Sequence, residues 1–291
     1  MNEILVYIDI VTAVRAFYVL SISLILLVRL IPPLRDRFLH YGARETAQPP
    51  GQGTATLLTH QLDQVAAIRV PHSAFWHFYA LSIVCTSLSL VALVSQHGLL
   101  NLLPRGQERV RRLWECISLS RGRPSTSSMW IGHYLIGLAF YVFANLGIVL
   151  DHLHSLPLLT QAADVGGTSL ASALGSVAQT AALVGFAVAS WKQHAYHVYL
   201  ASLKKYTLPT GGVFNVIVAP HYTAECAIYL ALAILSAPIG RVFNVTILCA
   251  LSFVIVNLGT TADGTKQWMV VKFSESRAEI EKRWRMIPGL F

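Results

Sequence analysis

The sequence predicts an all-α membrane protein with seven transmembrane helices. Three observations carry that expectation. Of 291 residues, 12% are charged and 54% are hydrophobic, against about 25% charged in an ordinary soluble domain. Apolar runs of the length that crosses a bilayer, about 20 residues, recur along the chain. The Lys and Arg residues between those runs fall on one side of the membrane when the crossings are counted, as cytoplasmic loops require. The net charge of +8 does not mark a nucleic-acid binder, because the cations sit between apolar stretches rather than in a long basic run. A mean hydropathy of +0.55 also excludes a disordered chain, which could not leave so much apolar surface uncovered.

The candidate spans are 4–30, 73–96, 98–120, 131–150, 170–191, 220–236 and 241–258, with a cytosolic tail over 259–291. The first contains Asp9 and Arg15 and is followed by no small-residue cleavage site, so it reads as a span rather than a secretory signal. The third is the weakest. It opens apolar and continues with Arg105, Arg109, Arg111, Arg112 and Glu115, a pattern that alone would describe an amphipathic surface helix. The basic segments are those holding Arg35, Arg37, Arg44 and Arg69, then Arg121 and Arg123, then Lys192, Lys204 and Lys205, then the C-terminal cations. Segments 151–169 and 237–240 hold no Lys or Arg. All basic segments share a side only if 98–120 crosses, which puts the N-terminus in the lumen and the C-terminus in the cytosol. The charges of that span must then face a wet interior. Residues 43–56 form a polar linker, and 278–285 reads as a short amphipathic helix near the surface. No internal repeat or second domain is apparent, so 1–291 is one membrane-embedded unit. Cys85, Cys116, Cys226 and Cys249 lie apart in apolar or amphipathic stretches and read as small hydrophobes. No metal-ligand spacing occurs.

The chemistry-bearing stretch runs from Trp191 to Tyr229. Gln193, His197, Leu200 and Lys204 are 4, 3 and 4 residues apart and share one face of a helix. Amide, imidazole and ammonium together at a cytosolic helix end suit an anionic ligand, although a solvated helix end carrying positive-inside lysines has the same pattern. Pro209, Gly211 and Gly212 then mark a tight turn whose backbone is free to approach a ligand. Pro220 opens an apolar helix with His221 and Glu225 on one face. Glu225 lies inside an apolar run, where an ionisable group is a functional candidate; a buried ion pair is the alternative. His77 and Tyr79 stand at the mouth of the second span, and His133 and Tyr134 at the mouth of the fourth, where interfacial aromatic belts also occur. Lys272, Arg283 and Arg285 could reach a phosphate or simply obey the charge rule.

These residues carry a resemblance. Gln193, His197, Leu203–Lys204, Tyr206, Pro209 to Gly212, Phe214, Pro220 to Tyr222 and Glu225 resemble the steroid 5-alpha-reductase family, and within it the polyprenol reductase branch. The likeness continues in Arg111 to Cys116, in His133–Tyr134 with Gly137 and Tyr141, in Phe75 and His77 to Tyr79, and in Lys272–Phe273 and Ile287–Pro288. The resemblance implies seven helices enclosing a cytosol-facing cavity for NADPH, in the endoplasmic reticulum membrane. It implies reduction of the α-isoprene double bond of a long-chain polyprenoid lipid, which supplies dolichol for N-linked glycosylation, with no obligate protein partner. It places Gln193, His197, Lys204, Tyr206, His221, Glu225, Arg123 and Arg283 at cofactor-binding positions. For the acid, Tyr79 and His77 are the candidates. Two departures stand out. The branch's Thr-His-x-Trp-Tyr reads Thr265–Lys266–Gln267–Trp268–Met269 here, and Arg109 falls where the steroid enzymes carry a substrate-side Tyr.

Other readings are a 3-oxo-steroid 5-alpha-reductase and a membrane methyltransferase using S-adenosylmethionine for a lipid or prenylcysteine. A receptor or transporter is a third. The cationic stripe and tail favour a phosphate-bearing cofactor over a sulfonium, and the lack of a repeat argues against transport.

Overall fold

The computed structural model describes residues 2–39, 57–94, 128–153, 170–204, 206–238 and 241–291. Its elements in chain order are helices α1 (Asn2–Leu30), α2 (Pro32–Phe38) and α3 (Leu57–Ala66), strand β1 (Arg69–Pro71) and helix α4 (Trp76–Val94). Strand β2 (Ser128–Trp130) follows, then helices α5 (Ile131–Leu153), α6 (Leu170–Ser202), α7 (Pro220–Leu235), α8 (Val245–Lys272) and α9 (Arg277–Lys282). Three described helices have a stretch long and apolar enough to cross a membrane: Ile10–Leu30, Ile131–Asp151 and Val245–Lys272. A shorter apolar helix covers Ser73–Leu88.

Helix α8 is the hub, with α1, α5 and α7 packed along it. Tyr18, Phe140, Tyr229, Ala250, Phe253 and Met286 meet in its core, with the Phe140 and Phe253 rings stacked 5.3 Å apart. Helix α6 lies along α7, and α4 lies along α5. The α4–α5 approach is close because Gly137 leaves room for Phe78; a Cβ there would stand 2.9 Å from that ring.

Polar contacts fix the helix directions. Arg15 of α1 donates to Thr246 at the start of α8 and pairs with Asp151 at the end of α5. Fourteen residues on, Arg29 pairs with Asp263, so α1 and α8 run parallel. His77 bonds Tyr134, and Thr86 donates to Asn145, so α4 and α5 are also parallel. Gln193 meets Glu225 and His197 meets His221, so α6 and α7 are antiparallel. One end of the bundle therefore gathers the start of α4, α5 and α7 and the finish of α1, α6 and α8. At this end β1 and β2 pair antiparallel, Trp130 packs at a tilt against Phe38 with its Nε1 donating to the Val65 carbonyl, and Arg37 ties α2 to Asp63. The guanidinium beside Asp63 holds its carboxyl below the ordinary range.

Three boundaries differ from the sequence expectation. The last span, expected over 241–258, is a helix from Val245 to Lys272. It starts late because Asn244 caps it, accepting the Ile247 amide at 2.9 Å. It continues through the polar turn at Asp263 because that carboxylate is neutralised by Arg29 and Arg285. Part of the expected tail is therefore helix, and the short terminal helix covers Arg277–Lys282 rather than 278–285. The fifth span, expected to end at 191, belongs to a helix that runs on to Ser202. The segment 98–120 lies outside the described residues.

Candidate active site

The polar groups of the functional stretch converge where α6, α7 and the C-terminal segment meet. Gln193 is 1% exposed, and its Nε2 donates to Glu225 Oε2. One turn along, the His197 and His221 rings are 5.5 Å apart, edge to face. Two pairs spaced by four residues thus match across an antiparallel helix pair, and among the described residues Glu225 is held by an amide rather than an ion pair.

After α6 the chain turns through Tyr206, whose φ is +64. Its ring lies under Lys272 Nζ at 5.0 Å and 6.4 Å from Trp268. The 207–215 loop is pinned to α6 by Tyr199. Its phenol oxygen accepts the Thr210 amide at 3.0 Å and donates to the Thr210 carbonyl, while its ring packs against Phe214. Gly211 (φ +94) and Gly212 (φ +54) supply backbone that a side chain would strain.

The C-terminal segment folds back as a strap beside this loop. Trp284 N donates to the Val216 carbonyl, Val218 N to the Trp284 carbonyl and Ala219 N to the Arg285 carbonyl, at 2.7, 2.8 and 3.1 Å. Thr223 Oγ1 donates to the Met286 carbonyl. The strap brings in Arg283, 4% exposed, with Nη1 donating to the Pro209 carbonyl at 2.9 Å. Among the described residues its buried Nε has no hydrogen-bond partner. Among the described residues no carboxylate forms an ion pair with it. Burial pulls its guanidinium below the ordinary arginine value.

Other sequence candidates fall elsewhere. Lys204 lies two residues beyond the end of α6 and is exposed, so it leaves the stripe of Gln193, His197 and Leu200. Arg123 lies outside the described residues. Arg285 is committed to Asp263, and Lys272 to the Tyr206 ring. On the α4–α5 side, His77 Nδ1 and the Tyr134 hydroxyl are 2.9 Å apart, and buried Tyr79 sets its ring against Tyr141 at 5.7 Å. A run of ring contacts leads from there to α7: Tyr141 to Phe140 at 5.3 Å, and Phe140 to Tyr229 at 5.7 Å. Tyr229 stands one turn past Glu225. The mouth of α4 and the α6–α7 cluster occupy the same end of the bundle.

Three residues carry the geometry without having been singled out: Tyr199, Asp263 and Lys266. Tyr199 had a signal in its position on the stripe-bearing helix, three residues after Tyr196, facing the Gly-rich turn. Lys266 was visible only as a departure from a motif. It spans α8 and the strap, donating to the Glu281 and Arg283 carbonyls at 2.8 and 2.6 Å. Among the described residues no group of three His, Cys, Asp or Glu side chains is placed to hold a metal ion.

Amide, carboxylate, imidazole and guanidinium groups gather at this end of the bundle, and comparison with known proteins identifies the family. Residues 173–291 match the family described as 3-oxo-5-alpha-steroid 4-dehydrogenase. The chain is 30% identical over 239 residues to a polyprenal reductase of Saccharomyces cerevisiae, covering 82% of this chain and 81% of that one. It is 29% identical to a polyprenal reductase of Caenorhabditis elegans, covering 67% and 63%, and 24% identical to one of Homo sapiens, covering 72% and 76%. The chain belongs to the steroid 5-alpha-reductase family, in its polyprenal reductase branch. It is an oxidoreductase of the class that acts on a carbon–carbon double bond.

Proposed function

We propose that the chain uses NADPH to reduce the α-isoprene double bond of a long-chain polyprenal, in a seven-span fold of the endoplasmic reticulum membrane. Its product feeds dolichol-type carriers for N-linked glycosylation. The observation that carries this reading is Arg283: a buried guanidinium with an orphan Nε and no carboxylate partner among the described residues. A buried cation is costly unless an anion completes it, and a dinucleotide phosphate does so with charge-assisted hydrogen bonds.

The helix directions support the span count. Parallel α4 and α5 need a return crossing between them, and parallel α1 and α8 need an odd number of crossings between them. Both conditions hold when 98–120 crosses. The end that gathers Arg29, Arg37, Arg69, Lys266, Lys272, Arg283 and Arg285 is then cytosolic, with the N-terminus luminal.

An isolated alkene has no place for the charge that hydride addition creates. A conjugated aldehyde does, because addition at the β-carbon moves an electron pair onto oxygen. NADPH, when bound, supplies that hydride. The protein's residues do the rest. Gln193 and Glu225 present an amide and a carboxylate suited to a carboxamide or ribose, with His197 and His221 one turn away and Tyr206 at the loop. Arg283 takes phosphate. Tyr79 and His77, at the mouth of α4, are the acid candidates that hydrogen-bond the enolate oxygen and return the proton. Exposed Leu20, Leu24 and Leu27 of α1 and Val177, Val184 and Val188 of α6 give outer surfaces compatible with lipid, where an isoprenoid tail also lies.

The test is NADPH oxidation by purified protein on addition of a short-chain polyprenal, with mass spectrometry showing a product two hydrogens heavier. Consumption of polyprenol with polyprenal left untouched would show the electron-sink argument to be wrong.

A further inference from the structure

Asp263 accepts hydrogen bonds from three side chains. It is 4% exposed, in the C-terminal third of α8, and its two oxygens are divided. Oδ2 accepts Arg29 Nη2 of α1 at 2.7 Å and Gln267 Nε2 at 3.0 Å, and Oδ1 accepts Arg285 Nε of the strap. One carboxylate therefore joins the first helix, the last long helix and the C-terminus. One turn along α8, Lys266 Nζ holds the Glu281 and Arg283 carbonyls. Arg283 thus lies between two fastenings to α8, its own carbonyl in one and residue 285 in the other. Among the described residues Arg283 makes one side-chain hydrogen bond, to the Pro209 carbonyl, so its position follows from where the strap is held.

We propose that Asp263 is a positioning residue: a latch that sets the strap so that the Arg283 guanidinium is already aimed at the cofactor phosphate before the cofactor arrives. The idea rests on the reading of Arg283 as a phosphate ligand. Its energetic sense is pre-organisation. A buried cation held by no ion pair among the described residues would otherwise swing toward water, and the latch removes that freedom in advance. It also gives Lys266 a function that the family's histidine at this place would perform less well, since an ammonium can cap two carbonyls at once.

The experiment compares wild type with Asp263→Asn and Arg285→Gln, each as the full chain in detergent. Arg285→Gln leaves the Arg29–Asp263 pair intact and serves if Asp263→Asn does not fold. Hydrogen exchange is first read without cofactor. Both variants are expected to lose protection at the amides of Trp284, Val218 and Ala219, with α4 and α5 unchanged. Unaltered protection there overturns the latch. NADPH affinity is then measured. Each variant is expected to bind about tenfold or more weakly, the scale of a misplaced contact group, with kcat nearly kept. In an Arg283→Met background the same substitutions are expected to have no further effect. Effects that simply add to that of Arg283→Met overturn the latch as well. If wild type itself does not bind NADPH, the cofactor reading fails, while the exchange data still decide whether Asp263 holds the strap.

Discussion

Replacing Arg283 with Met separates stability from binding in a way few substitutions at a folded site do. The side chain is 4% exposed, so removing it would normally read as a core lesion. Two terms oppose each other. The lost hydrogen bond from Nη1 to the Pro209 carbonyl is charge-assisted and contributes about 1.5–3 kcal/mol. Against it, methionine buries no charge and leaves no orphan Nε; an unsatisfied buried donor alone costs about 1–3 kcal/mol. The flexible thioether fills much of the arginine stem's volume. The terms offset each other to within about 1 kcal/mol, which for a chain of this size moves Tm by about 2–4 °C or less. Without cofactor, Arg283→Met is therefore expected to melt close to wild type. The cofactor-induced stabilisation behaves differently. Losing a guanidinium–phosphate pair worth about 1.5–3 kcal/mol lowers NADPH affinity about 10- to 150-fold. The assay is thermal unfolding in detergent over a NADPH titration, with NADH alongside. A variant that melts far below wild type without cofactor, yet keeps the NADPH-dependent shift, would refute the reasoning, because Arg283 would then be structural and already satisfied.

Glu225→Gln keeps the shape of the pair with Gln193 and removes its charge; NADPH binding is expected to weaken, and equal affinity by titration would remove Glu225 from the pocket. Tyr79→Phe keeps the ring against Tyr141 and removes the acid. Turnover is expected to fall about a hundredfold, within the range of lost general-acid catalysis, with NADPH affinity unchanged in steady-state kinetics. Gly147→Ala in α5 forces a Cβ to within 2.6 Å of Thr246 Cγ2. Overpacking of this kind costs about 1–3 kcal/mol, and the thermal midpoint is expected to drop without cofactor while NADPH affinity in the folded fraction stays the same.

What was legible in the sequence was what repeats at a fixed interval on one helix. Gln193 with His197, and His221 with Glu225, are each spaced by one turn. When two such helices pair antiparallel, the spacings match, and the structure joins them as Gln193–Glu225 and His197–His221. Lys204 shows where the method stops. Periodicity extends a stripe for as long as residue types allow, but the backbone leaves the helix at Ser202. The Asp263 latch was invisible for another reason. Its partners Arg29 and Arg285 are 234 and 22 residues away, and an aspartate next to a glycine in a weakly apolar run reads as the end of a span. Only the parallel packing of α1 against α8 supplies the countercharge that keeps the helix going. The same ambiguity affected Lys266, which looked like the loss of a functional histidine and is a bridge to the strap instead.

Helix direction is where charge and chemistry meet. Helix α1 carries Arg15 and Arg29 within one apolar rod, and an unpaired arginine inside a membrane is expensive. Each is given a carboxylate from a different helix, Asp151 of α5 and Asp263 of α8. Those two pairs hold α1 alongside the hub, so that its Arg29 end lies with the start of α4, α5 and α7. In the proposed topology that end is the cytosolic one, and it also holds the Gln193–Glu225 pair and the strap that carries Arg283. Reversing α1 would take both arginines away from their carboxylates at once. The ion pairs that make an arginine-bearing span tolerable therefore also fix which end of the bundle α1 shares with the start of α5 and the finish of α8.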